Sequence, residues 1–387
     1  MAGHLQKTSP TRNFPKGGWE ARWQEDAHGR LHWRGKTFPT KKEAERHLAA
    51  VLTDIARGDH ISSTDSGRRF REAAELWTGS LGTTRREKTV ADYLSTLRVH
   101  VMPRWQEQRL STITHNEVQL WIDERLRDGM SSAQIIKGYR VLRMILGRAV
   151  KAGWMRTNPC ASDLDLPRVN RREMLHLDTK QVDALAQAFT DRQPTSKHDV
   201  RTGPREDYAL YVRFAAYTGL RAGEICALKV KNLDLRDGRV HVREAVSVVS
   251  GRLIAGLPKT AAGSRTVGIP AFLIPELRNY LGPRRFDPEA FVFIGEEGGQ
   301  FRHGNFYGRF WKKAVAAAGL PPELRFHDLR HTYASLLVRA GVHVKEMSTL
   351  MGHASAQITL DRYSHMWEGA EIEVAARLDA LRAGGEG

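Results

Sequence analysis

Cysteine is almost absent: the 387 residues include two, Cys160 and Cys226. Two thiols in different parts of the chain build neither a disulfide framework nor a zinc cluster, and both read as small buried apolar residues. Long apolar runs are also missing. Nothing approaches the roughly 18 residues that a membrane-spanning helix requires, which argues against a membrane segment. The stretch Met1 to Phe14 lacks the apolar core of a secretory leader, which places the protein in the cytoplasm. Acidic residues are in deficit, with 44 Asp and Glu against 60 Lys and Arg, a net charge of +16. Such an excess points to a polyanionic partner, because each phosphate met by Lys or Arg releases condensed counterions. Charge alone does not separate DNA from RNA or from an anionic membrane.

What is present is a globular composition, 41% hydrophobic and 27% charged, in a chain long enough for two or three cores. Three blocks follow one another. The first, residues 1–66, opens with a basic leader that looks disordered. Two aromatic-rich strands follow, Trp19 to Trp23 and Arg30 to Arg34, with a turn at His28-Gly29 between them. A helix over Lys41–Arg57 comes next, its apolar stripe running through Ala44, Leu48, Val51, Leu52 and Ile55. A small sheet with one helix is too slight for an enzyme but suits a groove-reading module, with Arg22, Arg30, Arg34 and Lys36 available to DNA and Arg22 and Arg34 its candidate contacts; an ordinary packing appendage is the alternative. The second block, 67–166, reads as helical near 69–79, 88–102, 115–128 and 132–152. Between 67 and 160 it holds 17 Lys and Arg against 9 Asp and Glu. On its last helix Lys137, Arg140, Arg148 and Lys151 fall within roughly 80° of one another. Ile135, Leu142, Ile145, Leu146 and Ala149 lie opposite, so one face packs and the other offers cations at phosphate spacing.

A Pro- and Arg-rich linker, Pro167 to Glu173, leads to the third block, 174–387. It begins with a helix near Thr179, has three short strands expected between 239 and 269, and ends in an amphipathic helix near 369–382. Its polar residues stand where a simple core would not place them. Thr218-Gly219-Leu220-Arg221 ends one helix and turns into another, with Glu224 one turn beyond Arg221. An arginine there can face free backbone N–H groups, an anion site, though an Arg221–Glu224 surface pair explains it equally. Downstream, His327-Asp328-Leu329-Arg330-His331-Thr332 puts His327, Arg330 and His331 on one helical face. The His327–His331 spacing would also suit zinc, but Asp328 replaces the expected glutamate and Arg330 would set a cation beside the metal. Leu350-Met351-Gly352-His353-Ala354 and Asp361-Arg362-Tyr363 complete the set.

In this order and these contexts, the motifs resemble the active-site signature of the tyrosine recombinase (phage integrase) family. The implied fold is mainly α with small β-sheets (α+β). A helical, SAM-like core-binding domain at 67–166 would precede a mixed α/β catalytic domain at 174–387, of the kind shared with type IB topoisomerases. Residues 1–66 resemble the family's small arm-binding domain. The implied activity is site-specific DNA cleavage and rejoining through a 3′-phosphotyrosyl intermediate on Tyr363, for integration or excision of a phage or mobile element. Arg221 and Arg330 would hold the non-bridging oxygens, and His353 would add a hydrogen bond. His327 would serve as general base for Tyr363 or as its positional partner. Lys259, in Pro258-Lys259-Thr260, would protonate the leaving oxygen, with Lys229 and Lys231 as weaker choices, and Glu224 would orient a neighbour. No cofactor and no metal are expected. The partners implied are double-stranded attachment sites, a homo-tetramer on DNA, and an excisionase or host DNA-bending protein, with no membrane. A Xer-type resolvase, a topoisomerase, a zinc hydrolase and an inactive DNA-binding regulator are the rival readings. The last helix is a candidate for docking into a neighbouring protomer.

Overall fold

The structure, a computed structural model, describes residues 3–27, 30–57, 60–82, 85–161, 163–169, 174–191, 203–258 and 261–367, with 375, 379 and 382 beyond. The chain divides into two compact units, Met1–Arg171 and Arg172–Gly387.

The first unit holds two separate apolar clusters. Around the smaller one lies an antiparallel sheet of β1 (Gly3–Thr8), β2 (Gly18–Ala27) and β3 (Arg30–Phe38), in that order, packed on the helix Lys41–Arg57. Alternation along β2 sends Ala21 and Trp23 inward, against Ala44 and Leu48 of the helix. Residues 3–8 are therefore a strand and not a disordered leader. Leu5 is the one apolar large side chain in β1, so periodicity hardly marks it; what holds it is register with β2, Leu5 opposite Ala21 and Gly3 opposite Trp23. The turn expected at His28-Gly29 lies outside the described residues.

The larger cluster belongs to the helices Phe70–Gly79, Glu87–Thr96, His115–Arg127 and Ser132–Lys151, close to the expected bounds. A wider π-helical turn, Leu97–Val101, continues the second of them into Met102–Trp105. Ser131 caps the longest helix by accepting from the Gln134 N–H, and Ile135, Leu142, Ile145, Leu146 and Ala149 are buried against Trp105 and Trp121. Cys160 is buried there, as its composition suggested.

The second unit opens on the helix Thr179–Thr190, started by a capping box between Asp178 and Gln181. The helix Glu206–Thr218 runs through the centre of the core, buried on nearly every side. Five strands form two small sheets: β4 (Leu233–Asp234), β5 (Arg239–Val242) and β8 (Arg265–Gly268) in one, and the hairpin of β6 (Ala245–Val249) and β7 (Arg252–Gly256) in the other. Four strands thus occupy the stretch where three were expected. The difference of one arises at the hairpin of β6 and β7, joined tightly through Ser250 and Gly251, both at positive φ. The helices Leu273–Leu281, Lys312–Ala317, Asp328–Arg339, Val344–Met351 and Ala356–Tyr363 complete the unit. The helix expected near 369–382 lies outside the described residues, apart from single positions. No helix among the described residues is long and apolar enough to cross a membrane.

Candidate active site

Two left-handed glycines set the site. Gly219, at φ 63°, ends the helix Glu206–Thr218, and Arg221 then stands as N-cap of the helix Ala222–Ala227. A Cβ on Gly219 would lie 2.2 Å from the Tyr333 ring, so only glycine both turns here and lets that ring approach. Gly352, at φ 60°, ends the helix Val344–Met351 and presents His353; a Cβ there would come within 3.0 Å of the Ala262 carbonyl. Both turns follow from the sequence, since a Gly at the C-terminal end of an apolar-periodic run is a stop signal.

Glu224 is 3% exposed and lies between two arginines. Arg221 donates to it from Nη1 at 2.7 Å and from its backbone N–H at 2.9 Å. Arg265, buried at the start of β8, donates from Nη1 and Nη2 at 3.2 and 2.9 Å. Burial opposes the carboxylate charge, but the bonds from Arg265 and Arg221 prevail and hold its pKa below the ordinary value. Arg265 does more than pair. Its Nε donates to the Leu350 carbonyl at 2.7 Å and its Nη1 to the Gly263 carbonyl at 3.2 Å, tying the helix before His353 to the segment before β8.

Arg330, 3% exposed, is held by carbonyls alone: Nη1 donates to Gly219 O at 2.7 Å and Nη2 to Met351 O. Burial, with Arg221 and Arg265 nearby, pushes it down to about 9, still charged at neutral pH. Arg221 and Arg265 bond to Glu224 while Arg330 bonds to carbonyls, so three guanidiniums stand against one carboxylate and this cluster carries two excess positive charges. Arg221 remains 41% exposed, so the cluster is open to an anion from outside.

His353 Nδ1 lies 2.7 Å from Thr359 Oγ1, and its Nε2 is buried without a partner among the described residues. Burial and the arginines Arg330, Arg362 and Arg221 push its pKa down to about 3, so the ring is neutral. In the tautomer in which Thr359 donates to Nδ1, Nε2 carries the proton and is a free donor. Tyr363 closes the helix Ala356–Tyr363 and is fully buried, its ring parallel to His353 with centroids 6.4 Å apart. Burial raises the phenol pKa, partly offset by Arg330, Arg362 and Arg221.

Arg221, Glu224, Arg330, His353 and Tyr363 are thus brought together. His327 is the exposed N-cap of the helix Asp328–Arg339, its ring 5.4 Å from that of His331. The hydroxyl of Tyr363 meets His331, not His327: Nδ1 to Oη is 2.8 Å. Lys259 lies outside the described residues, between the end of β7 and the start of β8. Lys229 and Lys231 both pair with Glu289. Arg265 and His331 are the two residues here to which sequence reasoning gave no part in the recombinase site. An inward-facing arginine at the first position of an alternating strand, and a histidine one helical turn after His327, were the available signals.

On the first unit, Lys137, Arg140, Arg148 and Lys151 all lie exposed on one helix, and none pairs with a described carboxylate. Arg22 stands over the Trp33 ring at 5.7 Å. Arg34 is tied to buried Glu25 at 2.7 Å, so its charge is engaged within the sheet.

Excess fixed cations, a neutral imidazole and a buried phenol stand together, the kinds of group that phosphoryl transfer through a covalent link uses. Comparison with known proteins makes the class particular. Residues 176–368 match the Phage integrase family, and residues 69–126 match the Phage integrase, N-terminal SAM-like domain. The prophage phiRv2 integrase of Mycobacterium tuberculosis is 28% identical over 97% of this chain and 96% of its own length. Among solved structures, the Tn1549 transposon integrase in complex with transposon right end DNA superposes with a TM-score of 0.64 at 19% identity, covering 81% of this chain and all of that one. A lambda integrase tetramer bound to a Holliday junction gives 0.57 at 18%, over 90% of this chain and 95% of its own. The chain belongs to the phage integrase family. It is a tyrosine-type site-specific recombinase with a helix-rich α+β fold.

Proposed function

We propose that the chain cuts and rejoins double-stranded DNA at attachment sites through a 3′-phosphotyrosyl link to Tyr363, integrating or excising a phage or other mobile element. The observation that carries this reading is the cluster of three guanidiniums around one carboxylate, next to a buried tyrosine. A phosphodiester carries one negative charge, and attack by a phenolate builds a second on the non-bridging oxygens. Two excess cations at fixed positions answer that charge without reorganising. Arg221 and Arg330 present their donors to the non-bridging oxygens, and His353 adds Nε2–H. Tyr363 Oη bonds to phosphorus while the bond to the 5′-oxygen breaks. Lys259 supplies the proton to that oxygen, and Glu224 orients Arg221. The bond energy stays in the phosphotyrosine, which is what permits rejoining.

The remaining parts follow the same reading. Residues 1–66 act as an arm-type DNA module, 67–166 as the core-binding domain and 174–387 as the catalytic domain. The stripe of Lys137, Arg140, Arg148 and Lys151 meets backbone phosphates, and Arg22 is the better placed of the two sheet arginines. Recombination joins two duplexes, so four protomers assemble on DNA, as the lambda integrase tetramer does on its junction. Strand exchange conserves the number of phosphodiesters, so an outside bias, an excisionase or a DNA-bending protein, sets direction. An inactive regulator would have no need of the complete cluster.

The test is a nicked suicide duplex spanning an integration junction, incubated in EDTA and read as a covalent adduct on a denaturing gel. Wild type is expected to form the adduct, and Tyr363→Phe to bind the duplex normally and form none. Adduct from Tyr363→Phe at the wild-type level would remove Tyr363 from the mechanism.

A further inference from the structure

Strand cleavage releases a proton from the attacking tyrosine, and the site has three histidines that could receive it. His353 is turned aside, its Nδ1 committed to Thr359 and its ring stacked parallel to the phenol. His327 is exposed at the start of its helix. One turn further on, His331 is 5% exposed, and its Nδ1 lies 2.8 Å from the Oη of a fully buried tyrosine. Bulk water does not compete for that contact. The two side chains are set by different helices, Asp328–Arg339 and Ala356–Tyr363, so the bond spans 32 positions of sequence and is made by tertiary packing.

We propose that His331 is the proton acceptor for Tyr363, an assignment that rests on the recombinase chemistry above and replaces His327 in that role. As Oη bonds to phosphorus, its proton passes to Nδ1 of His331. The bond from phosphorus to the 5′-oxygen breaks, and that oxygen takes its proton from Lys259. Rejoining reverses each transfer: the 5′-hydroxyl attacks and returns its proton to Lys259, and the leaving phenolate regains its own from His331.

The resting site is set for this transfer. Burial and the neighbouring His327 push His331 down to about 4, with Asp328 acting against them and Arg362 and Arg325 adding to them, so the imidazole is unprotonated at neutral pH. Burial keeps the Tyr363 hydroxyl protonated over the same range. A neutral imidazole has one bare nitrogen, and with the phenol donating, that nitrogen is Nδ1. Arrival of a phosphodiester sets a negative charge among these cations, which raises the proton affinity of His331 when the transfer is required. Before DNA binds, the pair is inert.

The experiment uses the full chain, on the junction-spanning suicide duplex with either an ordinary phosphodiester or a 5′-bridging phosphorothiolate at the cleaved position. A thiolate leaves without a proton, so the second substrate bypasses the acid and leaves the demand for a base. His331→Ala is expected to cleave about a hundredfold or more slowly on both substrates, the range that one positioned general base contributes. Added imidazole should restore part of that loss. Lys259→Ala should recover on the phosphorothiolate alone. His331→Gln keeps a hydrogen-bond acceptor but takes no proton, and is expected to remain slow. DNA affinity should stay near wild type on both variants, and His331→Gln, which keeps an acceptor for the buried phenol, should hold the thermal melt closer to wild type than His331→Ala does. Cleavage by His331→Gln within about threefold of wild type would reduce His331 to a positioning residue and overturn the assignment. Rescue of His331→Ala by the phosphorothiolate would make it part of the acid path, and would overturn it as well. Should wild type itself form no adduct at Tyr363, the recombinase chemistry falls first and the assignment falls with it.

Discussion

At the scale of single residues, Glu224 is the pivot. Its carboxylate neutralises Arg265 inside the protein while leaving Arg221 half-exposed and charged towards solvent. Removing one partner of a buried pair leaves an uncompensated charge, at a cost of about 3–5 kcal/mol. Glu224→Gln is therefore expected to lower the thermal melt substantially and to loosen Arg221, slowing cleavage. The pH dependence has a definite sign. The folded carboxyl titrates below its ordinary value, so its contribution is complete above the unfolded pKa and is lost as pH falls through the folded one. Melts from pH 7 down into the acid range should converge for wild type and Glu224→Gln. A constant gap across that range would mean that the carboxylate charge is not what stabilises the fold. Arg265 belongs to the same unit, because it joins Glu224 to the carbonyls of Leu350 and Gly263.

At the scale of elements, helix ends do the positioning. Arg221 begins one helix, His327 another, Tyr363 ends a third, and His353 follows the left-handed turn of a fourth. Backbone at a helix end leaves N–H and C=O groups unpaired, and Arg330 fills two such carbonyls, at Gly219 and Met351. The helix Ser132–Lys151 works differently, with its function on a face. One side is buried and the other carries Lys137, Arg140, Arg148 and Lys151. Changing all four to Gln is expected to leave the melt near wild type while weakening DNA binding. If each meets a phosphate, the slope of log affinity against log salt should shrink by about 0.9 per residue. An unchanged slope would assign this face to solvent alone.

At the scale of the molecule, a net charge of +16 spread over two compact units suits a protein that lies along a polyanion. Four protomers of 43.6 kDa should assemble on a synthetic four-way junction carrying the attachment core. Sedimentation is expected to report four per junction and fewer on a single duplex. Stoichiometry of one or two on the junction would contradict assembly as a tetramer.

Much of this was legible in sequence because it is local. Helix bounds in the second block follow from a 3.6-residue apolar period, and the turns at Gly219 and Gly352 from the need for positive φ. Arg221, Arg330, His353 and Tyr363 stood out by order and context. The strand at residues 3–8 was hidden because pairing with β2, rather than its own pattern, stabilises it. Likewise β6 and β7 exist through each other, so a count taken from local runs fell one short. The sequence by itself determined which chemical groups are present and which face of each helix they occupy. Tertiary packing alone decided that His331, and not His327, reaches the phenol, and that Arg265 stands behind Glu224. A hydrogen bond across 32 or 41 positions depends on the angle at which two elements meet, and no local periodicity encodes that.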